Sequence, residues 1–272
     1  MKYLVPYDFT SISRTALDHA LMFAKPTNAE VELFHIIDKE ADRLEAEKKF
    51  EELLSTLNEE LRKSISWKVT VGDIFEDIGK EAEAGNAQLL IMGTHGAKGL
   101  QKLFGSNAIK VITSSNTPFI VTQSKGPMED IKRVVFPVNL ARESVQILRF
   151  AKVLAKKFDA EIHLVCQPEK DEFLSHQLGN NILRARQYLQ KQGVTHEVDL
   201  LRGLHSLSHE AIEYGKKNKA DLFAAVHFPE SLIPQFDTFS QDMITNEWGI
   251  PVLIMNGSET AGVKTNYSFI SI

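Results

Sequence analysis

The chain has 272 residues, of which 43% are hydrophobic and 25% are charged, which is typical of a globular protein with a packed core. Its 31 Lys and Arg residues and 36 Asp and Glu residues give a net charge of −5, so no overall positive field would hold nucleic acid or an anionic membrane. No apolar run reaches the roughly 20 residues that span a bilayer. The single cysteine, Cys166, cannot form an internal disulfide, and we expect a cytoplasmic protein.

In chain order, the first half alternates short apolar runs with longer segments of helical periodicity. Strand-like runs occupy residues 3–5, 31–37, 67–71, 89–92 and 119–122, and helical patterns occupy residues 11–24, 41–63, 74–84 and 104–114. Most of the strand-like runs are continuously apolar, as expected for strands that are covered on both faces. This order predicts a parallel, doubly wound α/β sheet, in which ligands bind beyond the carboxyl ends of the strands.

The second half of the chain repeats the first half. Residues 5–8 align with residues 136–139, and residues 116–121 align with residues 249–254, with two additional residues near position 217. Matches in the same order over the whole unit predict a duplicated domain of about 130 residues, which is too long for a solenoid repeat.

Turn-forming and charged residues between the two copies set the predicted domain boundaries. Residues 124–130 read Ser-Lys-Gly-Pro-Met-Glu-Asp. We therefore predict one domain at residues 1–125, a second domain at residues 131–256 and a polar C-terminal tail at residues 257–272.

A glycine-rich stretch follows the fourth predicted strand. Residues 93–99 read Gly-Thr-His-Gly-Ala-Lys-Gly, and Gly105, Ser106 and Asn107 follow at the start of a helical pattern. Glycine lets a backbone approach a ligand closely, and the N-terminus of a helix offers N–H groups and a positive dipole end that suit phosphate. The alternative interpretation is that these glycines only form turns and that Ser106 only caps the helix.

The sequence resembles the universal stress protein family in its tandem two-domain form. The features that carry the resemblance are residues 5–10, the His-containing end of the second strand, the pair Gly93 and Gly96, the pair Gly105 and Ser106, and the closing residues 117–121. The resemblance covers residues 1–123 and, more weakly, 131–256. It implies two tandem Rossmann-like or flavodoxin-like domains, each with a five-stranded, mostly parallel sheet flanked by helices.

The resemblance also implies a binding module for ATP or a related adenine nucleotide such as AMP, with or without Mg²⁺. By position, Asp8 would contact the adenosine next to Pro6, and Ile36 and Met92 would flank the adenine. The ribose and phosphates would lie against Gly93, Gly96, Gly105, Ser106 and Asn107.

Eight residues separate Gly96 from Gly105, whereas the nucleotide-binding members of the family have nine. The shorter loop favours a first alternative, a nucleotide-free scaffold that works through protein contacts. A second alternative is weak ATP hydrolysis, with Asp8 and Asp38 near the site. A third is metal binding in the second domain.

The second domain lacks the glycine motif. Asn139 replaces Asp8, and Val226 and Pro229 replace Gly93 and Gly96, so side chains would fill the space that a phosphate needs. We predict that this domain does not bind nucleotide in the same manner.

Two histidines of the second domain, His205 and His209, have i,i+4 spacing and align with Ile74 and Ile78, two positions that look core-facing. Imidazoles directed inward would be hydrogen-bonded in a polar cleft between the domains or would bind a metal such as Zn²⁺. Glu210, Glu213 and His227 are candidates for a third ligand.

Domains of the resembled family commonly pair through the last strand of the sheet. The resemblance therefore implies an intramolecular pseudo-dimer of the two domains, with residues 119–122 near residues 252–255. An uncovered edge strand would favour aggregation, so such pairing is also expected on physical grounds. The sequence leaves open whether two chains form a homodimer.

Overall fold

The computed structural model describes residues 1–94, 103–127, 130–228 and 234–257. The strands are β1 Lys2–Pro6, β2 Glu30–Ile37, β3 Ile65–Val71, β4 Leu89–Gly93, β5 Phe119–Thr122, β6 Arg133–Pro137, β7 Glu161–Cys166, β8 His196–Leu200, β9 Leu222–His227 and β10 Val252–Asn256. The α-helices are α1 Ser11–Thr27, α2 Arg43–Ser55, α3 Glu59–Ser64, α4 Ile74–Ala84, α5 Leu103–Thr113, α6 Leu148–Phe158, α7 Glu172–Lys191, α8 Leu207–Lys217 and α9 Pro234–Ile244. Short 3₁₀ helices occupy Glu40–Asp42 and Arg142–Ile147.

Local sequence signals define the ends of the helices that border the later site. Thr10 caps α1, because its hydroxyl accepts a hydrogen bond from the amide of Ser13. The same helix ends at Asn28, whose φ of 52° is one of the left-handed conformations that Asn tolerates well. Asp73 caps α4 by accepting hydrogen bonds from two amides of its first turn.

The strands form one sheet in the order β3-β2-β1-β4-β5-β10-β9-β6-β7-β8. All neighbouring strands are parallel except β5 and β10, which are antiparallel, with Ile120 opposite Leu253. The five strands of each half have the same internal order, which confirms the predicted fold class. In each half the first strand lies between the second and the fourth, so the strand order reverses there and a crevice opens beyond the strand ends.

Apolar side chains cover both faces of the sheet. One core layer, under α1, α2, α6 and α7, includes Leu17, Phe50 and Leu189, and the other, under α4, α5, α8 and α9, includes Ile112 and Met243. All five of these side chains are completely buried. Burial on both faces explains why the strands read as continuous apolar runs.

The structure corrects one predicted helix. The pattern at residues 41–63 predicts a single amphipathic helix, but α2 ends at Ser55 and α3 begins at Glu59. Asn58 lies between them and accepts a hydrogen bond from the amide of Leu61. An Asn side chain that caps a new helix competes with continuation of the previous one, although the apolar spacing continues.

None of the helices in the described part of the chain combines the length and the hydropathy that a membrane-spanning helix requires. Of the predicted polar tail, only Gly257 lies within the described residues.

Candidate functional site

A cavity of about 260 Å³ opens beyond the carboxyl ends of β1, β2 and β4. This is the point in the first half where the strand order reverses. Helices α1, α4 and α5 complete its walls. The described residues that line it are Pro6, Tyr7, Asp8, Thr10, Ile12, Ser13, Phe34, His35, Ile36, Ile74, Phe75, Ile78, Met92, Gly93, Thr94, Ala108 and Val111.

Five of the residues that sequence reasoning singled out meet at this cavity. They come from three separate strand ends and are Pro6, Asp8, Ile36, Met92 and Gly93. Strand order alone brings them together, because β1 lies between β2 and β4.

The predicted phosphate-binding residues are only partly described. Gly96 lies outside the described residues, and Gly105, Ser106 and Asn107 lie in the first turns of α5, which begins at Leu103. Ser106 is thus the fourth residue of the helix and not its cap. Ala108 and Val111, further along α5, line the cavity, so this helix borders the site.

Asp8 is the only carboxylate among the described residues that line the cavity. Its Oδ1 accepts hydrogen bonds from the hydroxyl of Thr10 at 2.6 Å and from the amide of Thr10 at 3.1 Å. Desolvation by the surrounding protein raises the pKa of Asp8, but hydrogen bonds from Thr10 and Ser13 outweigh it and hold the pKa below its usual range. The carboxylate is therefore ionised at neutral pH and keeps lone pairs for a donor on a ligand.

Most of the remaining wall is apolar. Ile36 and Met92 extend from the strand ends, and Phe75 and Ile78 extend from α4. Ile74 also lines the cavity and is 49% exposed, so it lies at the rim. A slot of this kind, with one ionised carboxylate and a helix N-terminus nearby, suits a flat apolar ring that carries polar edges.

His35 is a site residue that sequence reasoning missed. Its Nδ1 lies 2.7 Å from the carbonyl oxygen of Tyr7, so Nδ1 carries the proton and Nε2 is left as an acceptor. The ring also contacts Phe9, whose φ of 63° is unusual for a bulky residue. A polar residue within the apolar end of β2 was the available signal.

Gly93 has a packing role in addition to its place in the cavity. A Cβ atom at this position would lie 2.5 Å from Cγ2 and 2.6 Å from the carbonyl oxygen of Ile12. Glycine is therefore required for α1 to approach β4 this closely. The structural and ligand-binding interpretations of this glycine are compatible.

A second, acidic cavity of about 340 Å³ adjoins the first and shares Asp8, His35 and Ile36 with it. Its further lining includes Asp38, Asp42, Glu45 and Lys49, and Lys49 forms an ion pair with Glu45 at 2.6 Å. Asp38 thus lies beside the apolar cavity and not within its wall.

Polar residues take the equivalent positions in the second half. Asn139, at the place of Asp8, accepts a hydrogen bond from the amide of Ala141 at 3.0 Å. Gln167, at the place of Ile36, donates hydrogen bonds to the carbonyl of His205 at 2.8 Å and to Glu210 Oε2 at 3.0 Å. In the second half, the Gln167 amide and its hydrogen-bond partners therefore occupy the position at which Ile36 forms an apolar wall in the first half.

Glu210 holds the loop before α8 together. Its two carboxylate oxygens accept hydrogen bonds from the amides of Gly203, Leu204 and His205, at 2.9, 2.7 and 3.2 Å. Burial raises the pKa of Glu210, but the hydrogen bonds from Gln167 and from these three amides outweigh it and lower the pKa to about 2. In this domain the loop amides are thus occupied by an internal carboxylate.

His205 and His209 are both exposed, and the expectation that they point inward is wrong. His205 precedes the cap of α8, Ser206, and its ring centroid lies 4.9 Å from that of His209. The alignment with the first half explains the error, since Ile74, the counterpart of His205, is itself at the cavity rim. Their role as metal ligands stays a prediction.

Comparisons with known proteins agree with this architecture. A sequence profile described as "Universal stress protein family" matches residues 1–123. Universal stress protein MJ0577 of Methanocaldococcus jannaschii is 31% identical over 154 residues, which span 46% of this chain and 95% of the relative. Universal stress protein MJ0531 of the same organism is 30% identical over 138 residues, which span 45% of this chain and 81% of the relative.

The crystal structure of a universal stress protein from Archaeoglobus fulgidus DSM 4304 matches with a TM-score of 0.72 and 18% identity, covering 94% of this chain and 98% of that one. This similarity extends the shared fold to both halves. The identity of at least 30% over most of the length of the two M. jannaschii proteins shows that the chain belongs to the universal stress protein family.

Proposed function

We propose that the first domain binds ATP or a related adenine nucleotide, as a cytoplasmic stress-response module. The observation that carries the proposal is the cavity beyond β1, β2 and β4, where an apolar slot meets the ionised Asp8 carboxylate. Its volume of about 260 Å³ is near the lower end of the range of small-molecule sites, so it would hold a nucleoside while the phosphates extend outward.

Each wall of the cavity has a distinct task in this proposal. Ile36 and Met92 would contact the faces of the adenine, and Asp8 would accept a hydrogen bond from a polar edge of the nucleoside. Amides in the first turn of α5, at Gly105 and Ser106, would hold phosphate oxygens, as helix N-termini do. Mg²⁺ would add charge neutralisation on the phosphates.

The test is a titration of nucleotide-free protein with ATP and AMP by calorimetry. Ile36→Gln introduces the residue that the second domain has at this position, and it should weaken binding about tenfold or more, because a buried amide without partners replaces an apolar contact. Asp8→Asn should weaken binding while preserving shape. Asp38→Asn, in the neighbouring cavity only, is the matched control and should bind normally.

Gly93→Val is unsuitable for this purpose, because its side chain would collide with Ile12 and perturb folding. Absence of binding to the wild-type protein at millimolar nucleotide would reject the proposal.

The second candidate function is a nucleotide-free scaffold that acts through protein contacts. The specific observation in its favour is the loop of eight residues between Gly96 and Gly105. Weak ATP hydrolysis is a lesser candidate, since it would need a group that activates water, and the described wall of the cavity offers only the Asp8 carboxylate and the His35 imidazole for this. Turnover that disappears in Asp8→Asn would support hydrolysis.

A further inference from the structure

A cluster of polar side chains lies in the second domain, where strands β7 and β8 face α8. His163, at its centre, is only 4% exposed. Its Nδ1 lies 2.6 Å from the Tyr214 hydroxyl and 3.9 Å from Asp199 Oδ2, and its Nε2 lies 3.0 Å from Glu161 Oε1. Glu197 is the neighbour of His163 across the strand pair, and one ligand atom each from His163, Glu197 and Asp199 lie within 4.8 Å of one another.

The first domain provides an internal comparison for this cluster. The repeat places Glu32 at the position of His163 and Lys68 at the position of Asp199. Both residues of the first domain form ion pairs within the protein, at 2.9 and 2.6 Å. In the second domain Asp199 takes the position of Lys68, so a carboxylate replaces an ammonium group there. This carboxylate lies 3.9 Å from Nδ1 of His163.

The two ring nitrogens of His163 have different surroundings. On the Nε2 side, Glu161 lies within hydrogen-bonding distance and is itself paired with Arg133 at 2.6 Å. Metal-binding histidines usually donate their other ring N–H to such a carboxylate, which leaves the opposite nitrogen free to coordinate.

On the Nδ1 side, the hydroxyl of Tyr214 lies 2.6 Å from His163 and 2.5 Å from Asp199 Oδ2. A phenol has one proton and can donate it to only one of them. With the imidazole proton on Nε2, Nδ1 and Asp199 Oδ2 both depend on that single phenol proton, and a cation between Nδ1 and the carboxylates would serve the acceptor that is left without a donor.

We propose that His163, Glu197 and Asp199 form a binding site for a divalent transition metal ion of the Zn²⁺ type. An imidazole nitrogen combined with carboxylate oxygens suits Zn²⁺ or Co²⁺ better than Ca²⁺ or Mg²⁺, which prefer oxygen ligands only. Glu161 is a positioning residue for His163. The competing arrangement has the proton on Nδ1 and Nε2 accepting from Arg133 Nε at 3.0 Å, which would satisfy the cluster without a metal.

The test uses the full chain without a histidine tag, stripped of metal and titrated with ZnCl₂ by calorimetry and with CoCl₂ by visible absorption. We expect one site whose affinity for Zn²⁺ falls about tenfold or more in Glu197→Gln, with loss of the Co²⁺ absorption bands. Glu197 is exposed on the last strand of the sheet, so this substitution leaves the core unchanged. His163→Gln should abolish the site, and circular dichroism checks its folding.

The matched control is His205→Gln combined with His209→Gln, which removes the exposed histidine pair. The proposal is supported if the double variant keeps the site. It is also supported if the wild-type protein binds a second equivalent of metal and only the double variant loses that second equivalent. The proposal is wrong if Zn²⁺ does not bind at 100 µM, a concentration about a hundredfold above a micromolar Kd. It is equally wrong if binding survives in Glu197→Gln and His163→Gln and disappears in the double variant.

Discussion

At the scale of single residues, one internal carboxylate fixes the loop before α8. In the second domain Glu210 accepts three amide hydrogen bonds, and these lower its pKa from an ordinary value of 4.5 to about 2. A carboxyl group whose pKa is lower in the folded state stabilises the fold above its ordinary pKa. That stabilisation is lost as the pH falls from about 4.5 towards 2.

We therefore predict that Glu210→Gln lowers the free energy of unfolding at pH 7 by on the order of 2 kcal/mol, because charge-assisted hydrogen bonds are lost. The difference from wild type should shrink as the pH falls from about 4.5 towards 2, because Glu210 takes up its proton in the unfolded chain at a higher pH than in the folded protein. Thermal melts at several pH values measure this. Glu213→Gln, exposed on the same helix, is the control and should match wild type at every pH; a constant difference between Glu210→Gln and wild type would contradict the linkage.

Several residues of the site could be predicted from the sequence because they follow strand ends. Asp8, Ile36 and Met92 come directly after or at the end of apolar runs, and the topology of a doubly wound sheet brings such positions together. Phe75 and Ile12 line the same cavity from helices, and their direction depends on how each helix packs on the sheet. Sequence periodicity does not contain that information, so these residues were missed.

At the scale of elements, two glycines should respond to substitution in opposite directions. Gly93 of β4 lies against Ile12 of α1, where a Cβ atom would approach to 2.5 Å, whereas nothing lies within 4 Å of a Cβ atom at Gly179 in α7. We predict that Gly93→Ala destabilises the protein by about 1–3 kcal/mol through overpacking. Gly179→Ala should stabilise it by about 0.5–1 kcal/mol, because alanine favours the helix.

Denaturant unfolding of both variants measures these changes. If the two variants shifted stability equally, the close approach of α1 to β4 would not be the cause. The measurement also bears on the ligand, since a destabilised Gly93→Ala that still binds ATP would assign this glycine to packing alone.

Element boundaries show where periodicity is insufficient. The apolar positions Leu53, Leu54, Leu57 and Leu61 continue through residues 41–63 and predict one helix. The chain nevertheless breaks between Ser55 and Glu59, because Asn58 starts a new helix with its own side chain. Capping residues within an apolar pattern are therefore the signal to examine first when a predicted helix is longer than its neighbours.

At the scale of the whole molecule, one antiparallel strand pair joins the two halves into a single sheet. The four residues of β5 are all buried, and they align with β10 with Val121 opposite Val252. Residues 1–125 expressed alone would expose the unpaired edge of β5 together with the apolar side chains that β10 covers.

We predict that residues 1–125 expressed alone associate into dimers, in which β5 of one copy pairs antiparallel with β5 of another in place of β10. Light scattering after size-exclusion chromatography measures the mass, and at tens of micromolar protein the dimer should dominate. Val121→Lys in the same fragment is the control, because a charged side chain on the edge strand disfavours pairing; Val121 is also buried in the core, so circular dichroism checks the folding of the variant, which should be monomeric. A folded wild-type fragment that stays monomeric at this concentration would contradict the prediction and show that the first half does not need cover at β5.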